Sequence, residues 1–170
     1  MTTQTFCIAA IPADGVGVEV VAAGRTLLDA LAEHSNGRFA FDWQEFPWGS
    51  DFYAKHGRMM DDDGLEQLKD FDAIYFGAVG WPTVPDHISL WGLRLKICQS
   101  FDQWANVRPV EFLPGIESPL RKADDSELNC VVVRENSEGE YAGLGGRNLA
   151  GRGPGGEVAV QSALFTEVGC

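Results

Sequence analysis

The sequence predicts an α/β fold that opens with a parallel sheet. Two observations carry this. Short apolar runs alternate along the chain with helical periodicity, in the order strand, helix, strand, helix, strand. The two most apolar of these runs also close on Pro12 and Gly77, residues that end a strand at a turn. Strands separated by helices in this order pair in parallel.

The elements follow in order. Phe6 to Ile11 reads as a buried strand, and Asp14-Gly15-Val16-Gly17 as the turn after it. Val18 to Glu33 carries Val20, Val21, Leu27, Leu28 and Leu31 as a helical stripe, stopped before Asn36-Gly37. Phe39, Phe41 and Trp43 alternate with polar or small residues, as in a strand. Asp61 to Lys69 predicts a short helix, with acidic residues at its start and a lysine in its last turn. Ala73 to Phe76 is a further buried strand. Leu90, Leu93, Ile97, Phe101 and Trp104 predict a helix over Leu90 to Gln103 with one buried face, Trp104 being a core residue like Trp91. Strands are then expected at Ala105 to Val110, Leu128 to Arg134 and Glu157 to Leu164. The Gly-rich stretch before the last strand makes Tyr141 to Gln161 a two-stranded arm or hairpin. Thr166 suits an N-cap at the start of another helix.

Thirteen Lys and Arg stand against 25 Asp and Glu in the 170 residues, a formal net charge of -12. That balance argues against nucleic acid or an anionic membrane as partner. A few local arginines can still hold an anionic substrate, because distant charge is screened. No signal peptide or transmembrane segment is expected: the N-terminus lacks a basic region, and the longest uncharged stretch, Ala73 to Pro85, is broken by Gly and Pro. Cys7, Cys98, Cys130 and Cys170 form no C-x-x-C pair, which fits a reduced, cytoplasmic protein and not a zinc site. No metal ligands are assigned. Asp61-Asp62-Asp63 reads as a solvated helix start, and His34, His56 and His87 as surface or loop residues.

Asp14-Gly15-Val16-Gly17 lies where nucleotide phosphates dock in α/β proteins, but Val20 replaces the third glycine of the dinucleotide fingerprint. An ordinary strand-to-helix turn and a cofactor-proximal loop both remain open. Arg108 precedes Pro109 at a strand end, and Arg134 follows Val131-Val132-Val133. An arginine after three valines expected to be buried must emerge at a sheet edge or enter a polar pocket. With Tyr141 nearby, two such arginines suit a small di-acid, offering forked donors for carboxylates and a phenol for proton transfer. Surface ion pairs are the alternative.

The stretches IAAIPADGVGVEV, FDAIYFGAVGWPTVPDHISLWG, FDQWANVRPVEFLPG and VVVRENSEGEYAGLGG resemble the β-decarboxylating dehydrogenases, the family of isopropylmalate and isocitrate dehydrogenases. PDHISLWG and FDQWANVRP are most similar to its D-malate and tartrate dehydrogenase branch. The resemblance implies an isopropylmalate dehydrogenase-like α/β fold, truncated and open. Residues 1–103 would be the first half of the α/β domain, and residues 104–170 the start of a second, dimerisation domain with an arm at about 141–161. It implies oxidation of a small 2-hydroxy di-acid by NAD, followed by loss of CO2, with Mg2+ or Mn2+. Arg108 matches the arginine of N-x-R-P and Arg134 that of R-E-N, both binding substrate carboxylates. Tyr141 matches the tyrosine of G-E-Y, the general acid. Gly77, Gly80 and Trp91 fall in the part beside the cofactor.

One match fails. The family carries another arginine ten residues before that of N-x-R-P, where this chain has Cys98. Arg94 lies one turn earlier on the same helical face, with its side chain expected to lean away from Cys98. The resemblance also implies that the catalytic lysine and the metal-binding aspartates belong to a part beyond these 170 residues, so the chain alone is expected to be inactive. Its partners would be a second copy or a full-length subunit. The alternatives are a truncated, non-catalytic paralogue that associates with such a subunit, and a simple dinucleotide-binding module.

Overall fold

The computed structural model describes residues 2–111, 114–116, 129–148, 156–167 and 169. The chain divides into two compact units, Met1–Ile97 and Cys98–Cys170.

The first unit is built on a parallel three-stranded sheet of order β2-β1-β3, formed by β1 (Gln4–Ala13), β2 (Phe39–Glu45) and β3 (Ala73–Ala78). Ile8 of β1 lies opposite Trp43 on one side and Ala73 on the other. The run Ile8 to Ile11 is buried throughout, as the central strand of a parallel sheet requires. Helix α1 (Val16–Glu33) connects β1 to β2.

The buried side of α1 differs from the expected stripe. Gly17 and Val21 are buried, with Gly24 and Leu28 continuing that line, whereas Val20, Leu27 and Leu31 are exposed, Leu27 to 71%. Glycine explains the shift. A Cβ on Gly17 would overlap the Pro12 carbonyl oxygen and lie 2.5 Å from the Ala78 nitrogen, and one on Gly24 would overlap the Tyr75 hydroxyl. The helix therefore approaches the sheet most closely at its glycines, with Val21 and Leu28 on the same line and Val20, Leu27 and Leu31 off it.

Helix α2 (Ser50–His56), absent from the sequence reading, follows β2. Helix α3 (Gly64–Leu68) is shorter than Asp61 to Lys69: Asp61 to Asp63 precede it, their carboxylates taken up by neighbouring side chains. Asp61 accepts the Trp48 indole N–H, Asp62 pairs with Arg58, and Asp63 accepts from Gln67. Among the described residues no three His, Cys, Asp or Glu come together in a way that could hold a metal ion. No helix among them is long and apolar enough to cross a membrane.

The helix expected from Leu90 begins earlier, at Asp86 behind Pro85. It runs as α4 (Asp86–Ser89), a π-helical turn (Leu90–Arg94) and α5 (Leu95–Ser100). The wider π turn brings Leu95 onto the buried side with Leu93 and Ile97. It ends at Ser100, and Asp102 takes a positive φ of 50°. Trp91 is 38% exposed and Trp104 55%, so neither is the core residue the spacing suggested.

Among the described residues, the second unit holds two antiparallel pairs: β4 (Ala105–Glu111) with β5 (Asn129–Glu135), and β6 (Gly139–Asn148) with β7 (Val158–Leu164). The middle of the expected arm, residues 149–155, and the expected strand start at Leu128 lie outside the described residues. Val131, Val132 and Val133 are exposed instead of buried. A two-stranded ladder covers neither of its own faces, so alternation along β5 does not divide inside from outside. Thr166 hydroxyl oxygen accepts the Gly169 N–H at 3.1 Å, the bond an N-cap makes three residues on.

Candidate active site

The β4–β5 ladder places both sequence-predicted arginines on one face. Asn106 is directly opposite Arg134, and Arg108 opposite Val132. Residues opposite one another share a face, and so do residues two apart on one strand. Arg108 and Arg134 are thus diagonal neighbours, within reach of one ligand through long side chains. Arg108 donates from Nε to the Asn106 side-chain oxygen at 2.9 Å, which aims an otherwise exposed side chain along the ladder. Asn106 in turn is 3.4 Å from the buried Asn136, whose amide donates to the Gln103 carbonyl at 2.8 Å.

Arg134 and Tyr141 come together. The Arg134 guanidinium carbon lies 5.4 Å from the centre of the Tyr141 ring, a cation–π contact. The Arg134 Nε is buried and has no hydrogen-bond partner among the described residues. A buried guanidinium N–H without an acceptor is costly to leave unmade. Tyr141 is held by its backbone: its N–H donates to the Glu138 carbonyl at 3.0 Å, and its carbonyl accepts from Gln99 at 2.8 Å.

Glu135 and Glu138 were not singled out in the sequence. Glu135 Oε1 accepts the N–H groups of Asn136, Ser137 and Glu138 at 2.8, 2.8 and 2.9 Å. These bonds, led by that from Glu138 and then Ser137, hold its carboxyl below its ordinary value of 4.5 against the opposing effect of burial. Glu138 receives the Thr166 N–H at 2.9 Å and its hydroxyl at 2.6 Å, tying the start of β6 to the end of β7. Gly139 follows at φ 62°, a conformation that disfavours a side chain, and a Cβ there would lie a tight 3.1 Å from the Phe165 ring.

A pH dependence follows from Glu135. Its folded-state pKa is depressed, so the stability it contributes is present above the unfolded value and lost as pH falls through the folded one. Below about pH 4.5 the wild-type chain should therefore lose stability more steeply than Glu135→Gln, measured by urea unfolding across the acid range. Parallel curves would contradict this.

The three positions expected beside a cofactor all belong to the first unit, where a buried carboxylate organises the turns. Asp14 accepts the Ser50 N–H and hydroxyl, both at 2.7 Å, and the Gly80 N–H at 2.8 Å. It thereby joins the turn after β1, the start of α2 and the loop after β3. Gly77 serves packing: a Cβ there would overlap the Pro12 carbonyl oxygen and lie 3.0 Å from Gly17. Gly80, at φ 137°, opens onto space, with nothing within 4 Å of where a Cβ would be. Trp91, in the π turn, leaves its indole partly exposed. Cys98, at the position where the family arginine was expected, is buried.

Residues 7–168 match the family model described as isocitrate/isopropylmalate dehydrogenase. A protein of Agrobacterium vitis described as "Probable tartrate dehydrogenase/decarboxylase" is 62% identical over 166 residues, 98% of this chain and 46% of that one. The D-malate dehydrogenase [decarboxylating] of Escherichia coli is 51% identical over 168 residues, 98% of this chain and 45% of that one. The crystal structure of an isocitrate dehydrogenase from Methylococcus capsulatus superposes with a TM-score of 0.71 at 25% identity, over 96% of this chain and 44% of that one. The chain spans about half the length of the curated relatives it matches. With a match over nearly every residue and a fold shared with those enzymes, the chain belongs to the isocitrate/isopropylmalate dehydrogenase family.

Proposed function

We propose that this chain supplies the carboxylate-binding and proton-donating part of an NAD-dependent oxidative decarboxylase of a small 2-hydroxy di-acid, D-malate, tartrate or a close relative. The observation that carries the reading is the buried, unpartnered Nε of Arg134 beside the Tyr141 ring. One carboxylate of the substrate accepts from Arg134 and the other from Arg108, each through a charge-assisted pair of N–H donors. When CO2 leaves, the electron pair of the broken C–C bond remains as an enolate. Tyr141 passes its phenolic proton to the carbon that lost CO2.

NAD would supply the hydride acceptor for the oxidation, and the first unit offers residues to hold it. Gly80 and Trp91 are the residues of the first unit that would border it, one leaving room and the other offering a flat apolar surface. Gly77 is given over to the approach of α1. A divalent cation would polarise the hydroxyl and keto oxygen, and no three His, Cys, Asp or Glu among the described residues come together to hold it. The β6–β7 pair, with Leu144, Val160 and Leu164 exposed, is the proposed arm of a dimer formed with a second copy or a longer subunit.

Titration of the chain with tartrate, followed by NMR, tests the di-acid site. Shifts are expected at the Arg134 Nε–H and the Tyr141 ring, and should vanish in Arg134→Leu. Shifts no larger than those from acetate at equal ionic strength would overturn the reading.

A further inference from the structure

The chain leaves β5 at Glu135 and enters β6 at Gly139, so Arg134 and Tyr141 are carried on opposite sides of one tight turn. Their contact depends on how the three residues between the strands are held. Three successive N–H groups, those of Asn136, Ser137 and Glu138, converge on a single oxygen, Glu135 Oε1, at 2.8, 2.8 and 2.9 Å. The Ser137 hydroxyl approaches the same oxygen at 3.4 Å. Successive N–H groups turned to one side form a nest for an anion, and here the chain fills it with its own carboxylate. Further bonds build on that turn. Tyr141 N–H reaches the Glu138 carbonyl at 3.0 Å, and Gln99 donates to the carbonyls of Ser137 and Tyr141 at 3.1 and 2.8 Å.

Glu135 touches neither Arg134 nor Tyr141 through any of these bonds. It is the acceptor that gives the turn its shape. We propose that Glu135 is a positioning residue, whose carboxylate sets the 136–138 turn and so holds Tyr141 against Arg134. The proposal deepens the reading of those two residues as clamp and acid, and rests on it for its functional meaning.

Because the bonds meet at one oxygen, glutamine can keep them with its amide oxygen. Aspartate is one methylene too short, and alanine offers no acceptor. NMR on the chain tests this without any reaction. In Glu135→Ala the amides of residues 136–138 should exchange about tenfold faster, as expected for loss of a hydrogen bond worth about 1.4 kcal/mol. The nuclear Overhauser effect between the Tyr141 ring and the Arg134 side chain should disappear, and tartrate should bind about tenfold more weakly. Glu135→Gln should restore all three readouts, with Glu135→Asp between them. If the alanine variant does not fold, the aspartate and glutamine pair carries the comparison. A protected turn and an intact Tyr141–Arg134 effect in the alanine or aspartate variant would overturn the proposal. If tartrate fails to bind even the wild-type chain, the di-acid reading falls, while exchange and the ring contact still decide the role of Glu135 in the turn.

Discussion

Tyr141→Phe is expected to lower kcat by roughly 10²–10⁴-fold, the range for a positioned general acid. The enzyme to use is a hybrid joining this chain to the unmatched part of the Escherichia coli D-malate dehydrogenase, of which it covers 45%. KM should change little, because phenylalanine keeps a ring beside the Arg134 guanidinium, 5.4 Å away in the parent chain. A loss confined to kcat marks an interaction made in the transition state alone. If kcat stayed near that of the parent hybrid, the proton would have to come from another group. A large rise in KM with unchanged kcat would instead make Tyr141 a binding residue.

The second large effect is expected at Cys98. By resemblance, an arginine at this position completes the carboxylate clamp, and the hybrid would lack it. Charge-assisted bonds to a buried anion are worth about 1.5–3 kcal/mol, more when bidentate, so Cys98→Arg should raise kcat/KM roughly ten- to several-hundred-fold. Cys98 is buried, and the longer side chain will also lower stability by about 1–3 kcal/mol as over-packing does. Thermal unfolding of the same variant separates that cost from the kinetic gain. Arg94→Leu in the Cys98 background should matter much less. Little gain from Cys98→Arg with near-complete loss from Arg94→Leu would mean that Arg94 has taken over the missing contact.

The parallel sheet was legible because its signals are local. The apolar run of β1 and the alternation of β2 need no partner to be read. The face of α1 was not, because its packing line runs through Gly17 and Gly24, which a stripe of large apolar residues does not reveal. Helix α2 escaped for a different reason: its first N–H and hydroxyl are bonded by Asp14, 36 residues earlier in the chain. The apolar run Val131 to Val133 reads as buried, but a local run cannot say whether anything is stacked on a two-stranded ladder. Arg108, Arg134 and Tyr141 were legible through their motifs, and the ladder register then put the two arginines on one face. Glu135 was hidden in plain sight. A glutamate after an arginine reads as a surface charge, and its partners here are backbone N–H groups, which carry no residue signature.

In the proposed reaction this chain holds the di-acid and protonates the carbon left by CO2. Coupled measurement of NADH and CO2 from D-malate and from tartrate, in the hybrid and in its Arg134→Leu variant, tests it most directly. Equimolar NADH and CO2 are expected from one of these acids, with a loss in kcat/KM of about 10²-fold or more in the variant, as removal of a charge-assisted pair implies. NADH without CO2, or turnover that Arg134→Leu leaves unchanged, would contradict it.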